Sequence, residues 1–224
     1  ALEAQSNADL FVANSYSMNE AGDISEEHTQ SYRRGQGRFA YPPGEVDVLS
    51  SHIHYGFTPI SGTLFRTESL KKSGFVDEDG VGNFPFESDI FFRLGDIGAK
   101  AWFCAEELIG FRYHAGSMRE YMKIVDNPHV VDNLIRLIGA RRYEGTDEKR
   151  RKLVLGRLYR AQALNHLRSG NVAGCRRSMK TSLQVCSYSP KAWLVAPFAL
   201  LTPGVLRRWL PELPETRETP KLST

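Results

Sequence analysis

Three clusters in the chain set residue types that do chemistry at short spacing. The segment Phe84-Pro85-Phe86-Glu87-Ser88-Asp89-Ile90-Phe91-Phe92-Arg93-Leu94 carries two carboxylates two residues apart, where a Gly/Pro-rich loop passes into a helical pattern. A helix N-terminus favours negative charge, and a carboxylate delivered there can take a proton from a hydroxyl as a general base. Acidic first turns are also ordinary helix starts, so a capping role for Glu87 and Asp89 reads from the same residues. In Phe111-Arg112-Tyr113-His114-Ala115-Gly116-Ser117, Arg112 and His114 leave one face of a strand pattern and meet a small-residue loop. A guanidinium and an imidazole so placed suit a diphosphate or a metal ion, and equally suit a structural strand end. His52 and His54 share a face if that segment is extended, with no third metal ligand in view. Trp102, Trp193, Trp209 and the phenylalanines at 84, 86, 91 and 92 read as core or interface. Glycine-rich phosphate loops, zinc patterns and nucleophile elbows are lacking.

The elements that must position these residues divide into two styles. Up to about residue 113 the pattern is mixed α/β. Ala8–Ser15 has the β-branched, apolar character of a strand, and Asn19–Asp23 has turn chemistry. Residues 24–46, polar and punctuated by Gly35, Gly37, Pro42, Pro43 and Gly44, read as one long loop. A short strand is expected within 58–66, and one or two helical turns over Glu68–Ser73 closed by Gly74. A Gly/Asp/Asn loop is expected over 75–85. Ile90, Phe91 and Leu94 give Glu87–Gly95 a helical spacing that Gly98 ends. Lys100–Ala105 and Leu108–Tyr113 then read as two strands. Beyond residue 118 the pattern is helical. Val130–Arg142 has one apolar face, and Thr146 caps a helix that runs to Gly170. Asn171 caps another, running to about Cys186. Pro190 starts a further helix, and Pro203 interrupts before Val205–Leu210. The helix, Ser-Gly-Asn turn and helix resemble one tetratricopeptide-type hairpin, a single unit where solenoids need about three. From Pro211 the chain reads as a disordered tail.

Charge follows the same division. Residues 1–114 hold 9 Lys and Arg against 17 Asp and Glu, a net of −8, while residues 115–224 hold 20 against 9, a net of +11. The formal charge of +3 conceals two halves of opposite sign. Hydrophobic content of 41% and charged content of 25% fit a globular chain with a real core. The longest apolar run, Ala192–Leu201, is broken by Pro197 and is about half of what a membrane-spanning helix needs. Three widely spaced cysteines without a CxxC pair predict reduced thiols and a cytosolic compartment. The start Ala1-Leu2-Glu3-Ala4-Gln5 lacks both a signal-peptide pattern and an initiator Met, which suggests a cut or processed piece.

Taken in order, the segments form a series. Ser61-Gly62-Thr63-Leu64-Phe65-Arg66 and Glu68-Ser69-Leu70 come first, then Ser73-Gly74-Phe75-Val76-Asp77-Glu78. Phe86-Glu87-Ser88-Asp89 through Arg93-Leu94 follow, then Gly98-Ala99-Lys100 and Arg112-Tyr113-His114-Ala115-Gly116-Ser117. Over residues 1 to about 118 this series resembles the second half of a family 2 glycosyltransferase, with the A-type nucleotide-sugar transferase fold. The order and spacing of five short motifs carry the resemblance. It implies a partial A-type α/β domain with a mixed sheet over 1–118, a helical accessory region over 119–210, and a tail over 211–224.

The resemblance also implies roles. Glu87 falls where the family places the base that deprotonates the acceptor hydroxyl, with Glu standing where Asp is usual, and Asp89 falls on the second acidic position. Arg112 and His114 match the late R-x-H motif beside the donor diphosphate and metal, with His114 the candidate metal ligand. Ser61, Gly62 and Arg93 fall on the acceptor side. The implied reaction is inverting sugar transfer from a nucleotide-sugar donor to a glycan or lipid-linked acceptor. A divalent cation, Mg or Mn, is implied, with its main ligands expected before Ala1 together with the donor-binding strands. Asp77-Glu78-Asp79 lies in the wrong part of the order to be the metal motif. Micromolar, metal-dependent binding of a nucleotide sugar by this chain would overturn the expectation that the donor half is missing. Enzymes of this kind build cell-surface polysaccharide or glycolipid from the cytoplasmic side, so a peripheral position at the inner membrane face is expected. The rival reading is a non-catalytic module whose basic helical part docks a partner or an anionic membrane, since Arg136–Lys180 carries 13 Lys and Arg against 3 Asp and Glu. The same residues also fit a plain solvated helix face. Nucleic-acid binding is not expected, because few aromatics interleave with the basic residues.

Overall fold

The computed structural model describes residues 7–55, 60–75, 86–113 and 127–210. The chain separates into two compact units, Ala1–Tyr121 with Arg142–Arg150, and Met122–Arg141 with Arg151–Thr224.

The first unit is built on a four-stranded mixed sheet whose strands lie in the order β2 (Gly44–Asp47), β4 (Lys100–Arg112), β1 (Leu10–Met18), β3 (Thr63–Phe65). The central pair is β1 (Leu10–Met18) and β4 (Lys100–Arg112), which run parallel. On β1, Leu10 and Val12 turn inward by the two-residue alternation of a strand. Flanking antiparallel partners are β3 (Thr63–Phe65) on β1 and β2 (Gly44–Asp47) on β4. Helix α4 (Phe86–Asp96) packs against α2 (Val48–Tyr55) and α3 (Thr67–Ser73). Phe91 and Leu94 from α4 join Leu10, Val12, Val46, Val48, Ala101 and Phe103 in one buried cluster.

Two expectations are corrected here. Lys100–Arg112 is one strand, not two. The break read at residues 106–107 is a register shift: β1 partners step from Ala13↔Cys104 to Asn14↔Glu107 and Ser15↔Ile109. The Asn14 side-chain amide donates to the Ala105 carbonyl at 3.2 Å, at the point where β4 carries the extra residues. Residues 24–46 are not one loop. They contain α1 (Glu26–Gly35), a short 3₁₀ turn at Arg38–Ala40, and the start of β2. Helix α1 is capped by Ser25, whose hydroxyl accepts from the His28 N–H at 3.3 Å, with Glu26 and Glu27 in the first turn and Arg33 and Arg34 in the last. Its buried face is Thr29, Tyr32 and Arg33, so it has almost no apolar stripe.

The second unit is helical. Its elements are α5 (Pro128–Gly139), most of α6 (Gly145–Arg168), α7 (Val172–Val185), α8 (Pro190–Leu201) and α9 (Pro203–Trp209). Asn127 caps α5 by accepting from the N–H groups of His129 and Val130, ahead of Pro128. Helix α6 begins at Gly145, one residue before the expected cap at Thr146, and the Glu148 carboxylate reaches back to accept from the Tyr143 N–H at 3.2 Å. Between α6 and α7, Gly170 adopts φ +81° and the Asn171 side chain accepts from the Gly174 N–H at 2.8 Å. Ala163, Leu167, Cys175, Met179, Ala196 and Ala199 form one buried cluster of this unit. The three cysteines are free thiols. Among the described residues, no helix is long and apolar enough to cross a membrane.

Candidate functional site

The two carboxylates of the first turn of α4 have different environments. Asp89 is buried, and its Oδ2 accepts from Arg93 Nε at 2.7 Å, one helical turn on. That i, i+4 pair holds the carboxylate in a fixed geometry. Glu87 is half-buried, and burial raises its carboxyl above the ordinary Glu range. The helix N-terminus acts in the opposite direction, but desolvation dominates. One acid is thus tied down by an ion pair, and the other, Glu87, is left less acidic than an ordinary Glu.

Arg93 joins this turn to the Ser73-Gly74-Phe75 motif. Helix α3 closes at Gly74 with φ +78°, and a Cβ there would lie 3.6 Å from Arg93 Nη1. Phe75 follows with φ 55°, a left-handed conformation that a bulky residue rarely adopts. Ser61 is exposed in the turn that leads into β3. Gly62 takes φ +91°, and its carbonyl accepts from the Ala13 N–H at 3.1 Å. A Cβ at Gly62 would meet the tip of the Ile109 side chain of β4, which would have to turn aside, and the positive φ favours glycine there whatever the space.

Arg112 ends β4, and its Nη1 donates to the carbonyls of Asn19 and Glu20 at 3.2 and 2.7 Å. The guanidinium thereby clasps the turn after β1 through neutral acceptors. His114 lies outside the described residues, as do Phe84, Pro85 and Asp77-Glu78-Asp79.

The histidine pair is not a metal site. Residues 48–55 are helical, so His52 and His54 point to different sides. His52 is half-buried with its ring centroid 5.1 Å from those of Phe91 and Phe92, and desolvation there pushes its pKa down to about 4. His54 Nε2 lies 3.2 Å from Asp147 Oδ1, which also accepts from the Ser50 hydroxyl at 3.0 Å. Among the described residues, no group of three or more His, Cys, Asp or Glu side chains could hold a metal ion.

Sequence reasoning passed over two buried arginines beside the sheet. Arg33 donates to the Ser15 carbonyl and pairs with Glu107. Arg38 lies over the Phe103 ring at 5.3 Å, and burial lowers its pKa to about 10. Their segment reads as loop in the sequence, and nothing in its spacing marks either residue as buried.

The fold and site define a mixed α/β unit carrying an asymmetric carboxylate pair, followed by a helical tail. No protein-family model, no curated protein and no solved structure matches the chain.

Proposed function

We propose that the first unit is the acceptor side of an inverting glycosyltransferase of the family 2 type, with Glu87 as the base. The observation that carries this reading is the contrast within one helical turn: Asp89 buried and held by Arg93, Glu87 half-buried with a raised pKa. A base working near neutral pH profits from such a shift, because it still ionises yet holds a proton more strongly than an ordinary carboxylate. The motif order from Ser61 to Arg112 supports the same reading.

In the proposed step the Glu87 carboxylate takes the proton of the acceptor hydroxyl. The oxygen then attacks the anomeric carbon, the carbon–oxygen bond to the nucleoside diphosphate breaks, and that diphosphate leaves with the bonding electrons. Attack opposite the leaving group inverts the anomeric centre. Asp89 and Arg93 act as positioning residues, holding the first turn of α4 against the α3 cap. Arg112 carries a positive charge at the end of β4, suited to a diphosphate oxygen. The reading includes a divalent cation, but the described residues offer no donor set that fits one, and no step is routed through it.

Glu87→Gln keeps the side-chain shape and removes the proton acceptor. With the enzyme as its gene encodes it, transfer is expected to fall by on the order of 10²–10⁴ with substrate binding retained. The acidic limb of the kcat/KM profile, set above the ordinary Glu range, disappears with it. Normal turnover in the variant would remove Glu87 as the base.

A further inference from the structure

Helix α8 inverts the usual rule of burial. Its small residues Ala192, Ala196 and Ala199 are buried, while Trp193, Leu194, Phe198 and Leu201 are 56, 71, 51 and 78% exposed. Leu194, Phe198 and Leu201 recur at i, i+4 and i+7, which places them along one stripe of the helix. Val205 on α9 is exposed as well. A contiguous apolar face of this kind marks an interaction surface.

The surrounding charge indicates what covers it. Residues 151–210 contain 11 Lys and Arg and no Asp or Glu. Lys191 is exposed in the first turn of α8, at i, i+3 and i+7 from Leu194 and Phe198, so cation and apolar stripe share a face. Arg176 Nε donates to the Leu200 carbonyl at 3.1 Å, which places a guanidinium beside the C-terminal turn of the helix. Arg207 and Arg208 are exposed on α9. At 12 residues α8 is about 18 Å long, too short to span a bilayer but suited to lying in its interface.

We infer that α8 and α9 form a docking surface for an anionic lipid bilayer, with Leu194, Phe198 and Leu201 entering the headgroup–acyl boundary and Lys191, Arg207 and Arg208 meeting anionic headgroups. A protein partner with an acidic surface would satisfy the cations, but the wide exposed apolar stripe on so short a helix favours the lipid interface. The inference stands apart from the sugar-transfer reading, since it requires nothing of Glu87.

The test is sedimentation of the whole chain with phosphatidylcholine vesicles, with or without roughly 30 mol % phosphatidylglycerol. Binding to the anionic vesicles is expected to exceed binding to neutral ones by on the order of tenfold at about 0.1 M salt, and to weaken at about 0.5 M. Leu194→Ser with Phe198→Ser should lose on the order of tenfold of that binding with an unchanged circular-dichroism spectrum, because both side chains are exposed. Arg207→Glu with Arg208→Glu should remove most of the salt-dependent part, and this gives a second readout that leaves the stripe intact. Undiminished binding by both double variants would overturn the proposal. So would concentration-dependent self-association that the stripe variant abolishes while vesicle binding persists, which would make the stripe a contact between copies of this chain.

Discussion

At the scale of single residues, burial decides which titratable groups keep their ordinary behaviour. His52 stays neutral in the folded chain because its cation would sit between the rings of Phe91 and Phe92. Its folded pKa, about 4, lies below the unfolded value of 6.5. The unfolded chain therefore binds the extra proton, and stability is lost as pH falls from 6.5 toward 4, with nothing further from this group below that. The full shift corresponds to roughly 3 kcal/mol. His52→Leu should flatten the fall of unfolding free energy across this window, measured by urea titration at several pH values. Parallel curves for the two proteins would refute the assignment. Glu87 has the opposite sign. Its folded pKa is raised, so its ionised form costs stability at neutral pH. An inactive Glu87→Gln protein that is no less stable than the parent would therefore separate loss of the base from loss of fold. The Asp89–Arg93 pair has i, i+4 spacing in the sequence, but only the fold shows Asp89 buried and held by Arg93.

At the scale of elements, the contacts that matter are close approaches of backbone. Gly62 combines φ +91° with a position facing the tip of Ile109, so a side chain in the turn into β3 is strained. Gly62→Ala is expected to destabilise by roughly 1–3 kcal/mol, read as a lowered melting temperature. Ile109→Ala in the same chain should recover part of this by opening space, while the positive φ remains costly. A Gly62→Ala chain that melts like the parent would show that β3 can shift without cost. Helices α4, α5, α7 and α8 were legible from apolar spacing and from Asn and Pro caps, because those signals are local. Helix α1 was missed although Ser25, Glu26 and Glu27 mark its start. Its buried face is polar, so the apolar period that identifies a helix is almost absent. The continuous β4 was split in two because the pair Glu106-Glu107 looks like a loop. In the folded chain it lies at the register shift opposite Asn14, where extra residues are accommodated.

At the scale of the whole molecule, charge is distributed rather than merely summed. The net of +3 conceals a basic helical part in which 151–210 lacks acids altogether. Clustered charge acts over a Debye length, so position matters as well as total. Arg207→Glu with Arg208→Glu and Lys71→Glu with Lys72→Glu change net charge equally, and all four side chains are exposed. The first pair is expected to lower the salt needed to elute the chain from a cation exchanger much more than the second. Equal effects would show that the total, not the cluster, governs binding.

The sequence by itself determined the α/β-then-helical order, the change of charge sign, most helix ends and the motif series behind the proposed sugar transfer. These rest on local periodicity, capping and composition, which act within a few residues. The tertiary structure alone decided that His52 packs against the rings of Phe91 and Phe92 with a lowered pKa, and that Gly62 faces Ile109. It also decided that Arg142–Arg150 belongs with the first unit, and that α8 buries Ala192, Ala196 and Ala199 while Leu194 and Leu201 stay exposed. Each depends on which distant segments meet, and burial, desolvation and close approach exist only once they have met.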